Sequence, residues 1–404
     1  MDTSSKNNMP VKANSASIAD DARALTSSLK AQIERIYEPT GRKSMRRLHI
    51  KEVADLLGVT DRGIRHRQTI DKQFPAGETD NRNRRYFNMD DLWLMRRRFA
   101  EKSKNPKQFL PGRSEGDKLQ VVSVANFKGG SGKSTTTAHL AHRLTMKGYR
   151  VLAIDMDPQA SLTVLFGYRP ELDFAEGDGS KTIYDALRYD EYQVPLSQVI
   201  RPTYCSGLDL APAGLQFSEF ETETAYALSR GITPSFESRL TLLLDEVEDR
   251  YDVVLIDCPP QLGFSSLCAI AASSSVLVTV IPNMLDISSM AQFLTMSSSL
   301  IETISEAKRR PVEFDFFSYL LTRYEPSDGP QVQMAGYLRG VLGSSVLTNP
   351  ILKSTAISDA GMTQQTIYEI SQSSMVKKTL ERALTSMNNM AAEVEQLIQR
   401  AWGR

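Results

Sequence analysis

Apolar residues in the C-terminal two thirds of the chain recur in short, nearly unbroken runs that alternate with helix-length segments. The runs occupy residues 121–125, 149–155, 208–212, 251–257, 276–282 and 314–322. Runs of this length are typical of strands that are buried on both faces of a sheet. The segments between them, such as residues 239–250 and 287–307, are long enough for the crossover helices that parallel strands require. The pattern therefore predicts an α/β fold with a mostly parallel sheet over residues 119–404.

Two amphipathic helices are predicted outside this alternation. Residues 1–17 are polar, and apolar residues then recur every three or four positions from Ile18 to Ile36. Such a helix needs a surface for its apolar stripe, either on its own chain or on the same helix of a second copy. We favour the second copy, so residues 1–40 are predicted to be a flexible tail and a dimerisation helix. The last helix, residues 375–402, carries Glu381 and Glu393 beside its basic residues, which favours core or dimer packing over a membrane surface.

Residues 41–100 have the element order of a winged helix-turn-helix. Residues 50–57 have a short amphipathic pattern, residues 58–60 can form the turn, and Thr60 is suited to cap the next helix. The segment N-R-N-R-R-Y-F at residues 81–87 suits a wing, and residues 89–98 suit a closing helix. The segment resembles MerR-type DNA-binding domains, chiefly in R-R-Y-F followed by an acidic helix start. We therefore predict an all-α, winged module ahead of the α/β domain.

The charge distribution points to nucleic acid as the partner of this module. Residues 41–110 hold 18 Lys and Arg against 9 Asp and Glu, whereas the whole chain holds 48 of each class. A basic block on an acidic body is typical of nucleic-acid binding, and a solvated basic face is the alternative. Arginines can read guanine edges or bind phosphates. The predicted DNA contacts are the arginines of the second helix and of the wing, namely Arg62, Arg65, Arg67, Arg82, Arg84 and Arg85.

Residues 101–118 contain two prolines and two glycines without periodicity, which predicts a linker. The three cysteines, Cys205, Cys258 and Cys268, have neither disulfide nor metal-ligand spacing, as expected in a reducing cytoplasm. The chain shows no apolar run of transmembrane length and no signal peptide, so we expect no membrane association.

The chemistry of the chain centres on the stretch V-V-S-V-A-N-F-K-G-G-S-G-K-S-T at residues 121–135. A strand that runs into a glycine loop and then a helix can turn consecutive backbone N–H groups onto an anion. The charge of Lys133 can reach the β- and γ-phosphates of a nucleotide, and the hydroxyl of Ser134 can bind Mg²⁺. The predicted nucleotide-binding residues of the loop are Lys128, Gly129, Gly130, Ser131, Gly132, Lys133, Ser134 and Thr135.

Two carboxylates follow later strands of the predicted sheet, at the edge where open α/β sheets bind their ligands. Asp157 belongs to D-M-D-P-Q at residues 155–159, and Asp257 ends the apolar run V-V-L-I-D. A carboxylate at the first position can orient or deprotonate an attacking water. The second has a Walker B pattern and would hold Mg²⁺ through a water, because magnesium retains several of its waters.

The loop departs from the ordinary P-loop because a second lysine, Lys128, stands directly before the double glycine. K-G-G-x-G-K-[ST] is the deviant Walker A motif, and the chain resembles the ParA family of partition ATPases, which is related to MinD and the nitrogenase iron protein. The resemblance covers residues 119–372. With the preceding DNA-binding module and N-terminal helix, the chain looks most like the large partition ParAs and the RepA branch of plasmid repABC operons.

The resemblance implies a switch driven by ATP hydrolysis. Lys128 would cross an ATP-sandwich homodimer, Asp157 would act in hydrolysis, and Pro282 and Asn283 would contact the purine. Lys353, which stands where the family has an arginine, would bind nonspecific DNA, although an ordinary solvated lysine is an equal alternative. The implied partners are a ParB-type or RepB-type protein, nonspecific DNA of the nucleoid, and the operator of the chain's own operon, which it would repress.

Two other classes of function fit the sequence less well. A repressor that is merely regulated by nucleotide would lack a hydrolytic carboxylate, and Asp157 speaks against it. A reductase of the nitrogenase iron-protein type needs two cluster cysteines per subunit on strand-end loops, and only Cys258 lies on such a loop.

Overall fold

The computed structural model describes residues 14–36, 43–126, 128–174, 179–309, 311–371 and 376–404. The predicted tail up to residue 13, Phe127 of the loop and the start of the last predicted helix lie outside these ranges. The chain divides into two compact units, residues 1–43 and 44–404. The first contains helix α1 (Ser15–Ile36), on which Ile18 and Leu25 are 63% and 65% exposed. Dimerisation through α1 stays a prediction.

The second unit begins with a small helical module that has the predicted element order. Its elements are β1 (Leu48–His49), α2 (Ile50–Leu57), α3 (Asp61–Ile70), β2 (Glu78–Thr79), β3 (Arg85–Phe87) and α4 (Met89–Ala100). The strands form an antiparallel sheet in the order β1-β3-β2. Thr60 caps α3 as expected, since its Oγ1 accepts the N–H of Gly63 at 3.1 Å. Gly58, at φ +64°, turns the chain between the two helices.

The remainder of the unit alternates strands and helices. Its first half contains β4 (Gln120–Ala125), α5 (Lys133–Lys147), β5 (Val151–Asp155), α6 (Ser161–Leu165), α7 (Pro170–Asp173), α8 (Ile183–Leu187), α9 (Leu196–Val199), β6 (Arg201–Pro202) and β7 (Leu208–Ala211). Its second half contains α10 (Glu219–Arg230), α11 (Phe236–Asp245), β8 (Val253–Asp257), α12 (Phe264–Ala272), β9 (Ser275–Val280), α13 (Met284–Lys308), β10 (Phe316–Leu321), α14 (Gly329–Leu342), α15 (Thr355–Met362) and α16 (Lys377–Ala401).

The strands form one seven-stranded sheet in the order β10-β9-β4-β8-β5-β7-β6. All pairs are parallel except β6 with β7. The predicted α/β fold with a mostly parallel sheet is therefore confirmed, and all six predicted strands are present. The prediction missed β6, because its two residues, Arg201 and Pro202, form no apolar run. The order reverses beside β4, which places the carboxyl ends of β4, β5 and β8 together at a topological switch point.

The last helix packs into the core as predicted. Met387, Met390, Val394 and Ile398 of α16 are fully buried in the cluster that covers one face of the sheet, together with residues of α5 and of the N-terminal module. Burying such side chains contributes roughly 1.5 to 3 kcal/mol each. Among the helices of the described ranges, none combines the length and the hydropathy that a bilayer span requires.

The segment predicted as a linker is packed against the rest of the unit. Phe109 is buried and stacks on Phe99 at 5.1 Å between ring centroids. The backbone N–H of Arg113 donates to Asp252 Oδ1 at 3.0 Å, and its guanidinium pairs with Glu248 at 2.9 Å. These contacts explain why residues 44–404 form one compact unit. The predicted division into domains stays a prediction.

Candidate nucleotide site

The glycine loop connects β4 to α5 at the centre of the sheet. Gly130 and Gly132 have φ of +78° and +86°, which is the left-handed region that favours glycine. Gly132 directly precedes α5, so Lys133 is the first helical residue. The loop is held from behind, because Thr322 Oγ1 donates to the carbonyl oxygen of Ser131 at 2.7 Å. Thr279 Oγ1 also donates to Ser131 Oγ at 3.0 Å. The start of α5 therefore faces the carboxyl edge of the sheet with its N–H groups, as anion binding requires.

Lys133 lies inside this loop. The residue is 6% exposed, and its Nζ donates to the carbonyl oxygen of Lys128 at 3.4 Å. Burial lowers the pKa of Lys133, while the neighbouring Asp257, Cys258 and Asp157 raise it. A buried ammonium group with one long hydrogen bond is suited to bind phosphate oxygens. Their negative charge would balance the ammonium, which the neutral loop carbonyl cannot do.

Three carboxylates lie at the carboxyl ends of β5 and β8, and each has a different role. Asp155 is fully buried and accepts the N–H and the hydroxyl of Thr163, both at 2.8 Å, so it holds the start of α6. Burial raises the pKa of Asp155 to about 6. Asp157 is 8% exposed, accepts the N–H of Gln159 at 2.9 Å, and lines the cavity in front of the loop.

Asp257 is the carboxylate that fits a metal ion. It is fully buried, and neither of its oxygens has a hydrogen-bond partner within the described residues. Burial and the nearby Asp155 raise the pKa of Asp257, whereas Ser134 and Lys133 lower it. The Ser134 hydroxyl does not have the geometry of a hydrogen bond to the Asp257 carboxylate. An unpartnered buried carboxylate next to a hydroxyl at the start of α5 is a donor set that suits Mg²⁺. Ser134 and Asp257 are therefore the residues that would hold the metal.

A cavity of about 750 Å³ lies in front of the loop, within the usual range for ligand pockets. Of the residues predicted for the nucleotide site, those that line it are Gly129, Gly130, Gly132, Lys133, Ser134, Thr135 and Asp157. Its far wall was not predicted. That wall contains Thr322 and Arg323 after β10 and several residues between Ile351 and Gln364. The apolar run 314–322 predicted the strand that Thr322 follows, but no local pattern indicated that its end and residues 351–364 would meet the glycine loop.

Two residues predicted to contact the purine lie away from this cavity, and one residue predicted to bind DNA lines it. Pro282 and Asn283 do not line it, and Asn283 Oδ1 instead accepts the N–H of Asp286 at 2.9 Å as the cap of α13. The structure therefore does not bring these two residues to the cavity where a purine contact was expected. Lys353, predicted to bind DNA, lines the cavity and pairs with Glu325 at 2.8 Å.

Lys128 also lies outside the cavity of its own chain. Its Nζ donates to Asp286 Oδ1, and the Asp286 side chain is fully buried in the first turn of α13. The Lys128 side chain itself is 43% exposed. Lys128 is thus partly exposed to solvent, and its positive charge is paired with the Asp286 carboxylate at the start of α13.

The arginines of the N-terminal module divide into two sets. Arg62 and Arg65 of α3 and Arg82 of the β2–β3 loop are exposed. Arg84 is exposed but pairs with Asp80 at 2.7 Å. Arg67 of α3 is half-buried, and its guanidinium packs 5.3 Å from the ring centre of Phe99. Arg85 donates to Gln68 Oε1 at 2.6 Å and so connects the wing to α3.

Comparisons with known proteins agree with this geometry. Residues 119–310 match the family described as "AAA domain". The provisionally named replication protein A of Rhizobium rhizogenes is 45% identical over 386 residues, which cover 95% of this chain and 94% of that protein. Protein SopA of Escherichia coli strain K12 is 28% identical over 338 residues, or 82% of each chain. A solved structure titled "Partition Protein" has the same fold, with a TM-score of 0.64, 17% identity, and coverage of 96% of this chain and 99% of that one.

A mostly parallel sheet that carries a K-G-G-S-G-K-S loop and two strand-end carboxylates defines a P-loop ATPase of the deviant Walker A class. The glycine loop, Ser134 and Asp257 supply the donor groups that ATP or ADP with Mg²⁺ requires. The chain belongs to the ParA family of plasmid partition ATPases.

The raised pKa of Asp257 predicts how Mg²⁺ binding depends on pH. A proton on the buried carboxyl competes with the metal, so the gain in ADP affinity from added Mg²⁺ should be small at acidic pH and grow as the pH rises. We expect Asp257→Asn to lose most of this gain at every pH, because an amide cannot ionise. Calorimetric titration of ADP with and without Mg²⁺ measures both effects. An equally steep pH dependence in the Asn variant would contradict the assignment.

Proposed function

We propose that this chain segregates plasmid copies through an ATP-dependent dimer that binds nonspecific DNA of the nucleoid in the bacterial cytoplasm. A ParB-type or RepB-type partner would stimulate hydrolysis and release the dimer from DNA. The N-terminal module would bind the operator of the chain's own operon and repress it. Membership of the ParA family of partition ATPases supports the first part of the proposal. The exposed arginines of α3 support the last part.

The observation that carries the dimer proposal is the position of Lys128. Its side chain is 43% exposed and lies outside the cavity of its own chain, whereas Lys133 is buried within the loop. A cation that lies outside the cavity of its own chain can bind the nucleotide phosphates of a second copy that faces it. In such a dimer the two nucleotides would lie at the interface, so ATP would favour the dimer by mass action.

The chain's own residues can account for the chemistry. Lys133 and the N–H groups of the loop bind and orient the phosphates, which lowers the barrier by positioning and by neutralising charge. Asp157 can orient the attacking water or accept its proton, since its carboxylate lines the same cavity. Bound Mg²⁺ would neutralise charge on the phosphate oxygens. The exclusion of bulk water from the cavity would then depend on the second copy.

A separate proposal concerns base reading by α3. In the full-length chain, Arg62→Ala/Arg65→Ala should abolish preference for one duplex while ATP-dependent binding to random DNA survives. Base contacts carry sequence preference, and phosphate contacts do not. Losing two good base contacts should reduce discrimination by about 10²- to 10⁴-fold, at roughly 1 to 3 kcal/mol each.

The experiment first enriches a preferred duplex from a random pool with the wild-type chain, and then titrates salt on the preferred and a scrambled duplex. Each phosphate contact adds about −0.9 to the slope of log K against log salt, so salt alone weakens both complexes. Arg97→Ala, at an exposed position on α4, is the matched control. If no sequence is enriched, the operator proposal fails. If the double variant keeps the wild-type preference, α3 is not the reading helix. A chain that binds a preferred duplex but never random DNA with ATP would instead be a nucleotide-regulated repressor without a partition role.

A further inference from the structure

One side of the nucleotide cavity is formed by α15 and the turn that follows it, a part of the far wall that we call the α15 wall. Its residues that line the cavity are Thr355, Ile357, Ser358, Gly361 and Gln364. Two histidines of α5, His139 and His142, lie behind this wall and are 2% and 0% exposed. They contact the residues that directly follow the wall in the chain, Ile367 and Thr366. The α15 wall is therefore attached to the helix that begins at the glycine loop.

His139 connects the first turn of α5 to the segment behind the wall. Its Nε2 accepts the backbone N–H of Ile367 at 3.2 Å, and its Nδ1 lies 2.6 Å from the carbonyl oxygen of Thr135. A backbone N–H can only donate and a carbonyl oxygen can only accept, so the imidazole is neutral and carries its proton on Nδ1. A single ring thus bonds both a residue of the glycine loop motif and the segment that carries the cavity wall.

The segment behind the wall depends on these contacts for its buried polar groups. Ile367 is fully buried, and His139 Nε2 is the one acceptor of its N–H among the described residues. A buried N–H that loses its acceptor is strongly disfavoured. His142, three residues further along α5, supports the same segment, since its Nδ1 lies 3.1 Å from Thr366 Oγ1. Loss of the bond to His139 should therefore favour detachment of the segment from α5.

The backbone of Gln364 shows that the wall has to be held in place. Gln364 has φ of +54°, in the left-handed region that non-glycine residues adopt at an energetic cost. Such a conformation persists when the surrounding structure fixes it. Gln364 lines the cavity only three positions before Ile367. The attachment of Ile367 to His139 therefore bears directly on the shape of the cavity.

We propose that His139 is a positioning residue that holds the α15 wall where the nucleoside part of ATP or ADP meets it. The phosphates bind at the glycine loop, so the ribose and base extend into the rest of the cavity, which this wall bounds. His139 does not line the cavity and acts only by keeping the wall docked on α5. A wall that is docked for a fraction of the time lowers the apparent nucleotide affinity by that fraction. The proposal rests on the nucleotide site and involves neither plasmid segregation nor DNA binding.

Two amide substitutions separate the two contacts of the ring. His139→Gln can place an amide oxygen near the position of Nε2, so it keeps an acceptor for Ile367. His139→Asn can place an amide nitrogen near the position of Nδ1, so it keeps the bond to Thr135 and leaves the Ile367 N–H unpaired. Two ligands separate the wall from the loop, because Mg-ADP carries a nucleoside and Mg-pyrophosphate carries only phosphates. Calorimetric titration of the wild type and both variants measures the six dissociation constants.

His139→Asn should raise the dissociation constant of Mg-ADP about 2- to 12-fold, which corresponds to one net hydrogen bond. The value for Mg-pyrophosphate should stay unchanged, and His139→Gln should retain most of the wild-type affinity for Mg-ADP. Wild-type affinity for Mg-ADP in His139→Asn would refute the proposal. Equal weakening of both ligands would also refute it, because the ring would then act through Thr135 and the loop. Equal losses in the two variants would show that the acceptor for Ile367 is not the cause.

Hydrogen exchange on the wild type decides the matter if a variant fails to fold. Mg-ADP should slow the exchange of the Ile367 amide and of amides in residues 355–364, whereas Mg-pyrophosphate should slow only amides in residues 129–137. Equal protection of residues 355–367 by both ligands, or none by Mg-ADP, would overturn the role of His139 and leave the nucleotide site standing. If neither ligand protects the loop, the nucleotide site fails and this proposal fails with it.

Discussion

Lys133→Ala should abolish measurable binding of Mg-ATP. The ammonium group is buried inside the glycine loop, where its only hydrogen bond in the described residues is a long one to the carbonyl oxygen of Lys128. Hydrogen bonds to charged groups contribute about 1.5 to 3 kcal/mol each. Losing two such hydrogen bonds to the β- and γ-phosphates should raise the dissociation constant about 10²- to 10⁴-fold. Equilibrium dialysis with Mg-ATP measures the change directly.

Two other lysines supply the controls for this experiment. Lys147→Ala removes a charge from the opposite end of α5, where the side chain lies 3.8 Å from Glu395, and should bind ATP as the wild type does. Lys128→Ala should also bind ATP as a monomer, because that side chain lies outside the cavity of its own chain. It should lose turnover and the ATP-dependent dimer, which light scattering detects. Wild-type affinity in Lys133→Ala would refute the site, and unchanged turnover in Lys128→Ala would make the loop an ordinary P-loop.

Asp157→Ala should bind ATP and DNA but lose turnover, so that the DNA-bound form accumulates. Removing a group that orients or deprotonates the attacking water costs on the order of 10² to 10⁴ in rate. Asp157→Asn should lose nearly as much while keeping the hydrogen bond that Gln159 donates, so it separates chemistry from loop structure. Gln159→Ala changes a neighbouring residue of the same cavity wall and should leave much of the rate intact. Phosphate release, with and without a partner protein, measures these rates. Turnover near wild type in both Asp157 variants would show that another group positions the water.

The parts of the fold that sequence predicts well are those that depend on neighbouring residues. The six apolar runs became strands within two residues of their predicted ends, because burial on both faces requires a continuous apolar segment. Thr60 caps α3, since a hydroxyl at that position satisfies an N–H of its own helix. The exposed residues Ile18 and Leu25 of α1 illustrate the limit, because an apolar stripe predicts that a surface exists without saying which one.

Arginine roles show why residue type alone does not assign function. Arg67 and Arg65 belong to the same basic helix, yet one packs on Phe99 and the other is exposed. Arg96 and Arg97 are adjacent, yet one is buried among carbonyl groups and the other faces solvent. Which side of a helix meets the core depends on elements elsewhere in the chain. A guanidinium can snorkel, stack or bind, and only its surroundings decide among these.

The sequence by itself determined the strands, the glycine loop, and the placement of Asp157 and Asp257 at strand ends, since hydrophobic periodicity and glycine chemistry act over a few contiguous residues. Tertiary structure alone decided what these parts meet. It set the pairing of Lys128 with Asp286 across 158 positions, the cavity wall beyond residue 322, and the position of Arg96 between α5 and α2. Such contacts join distant segments through the order of strands in the sheet and the packing of helices on it. No local pattern encodes the strand order, because the same apolar runs can form sheets with many different strand orders.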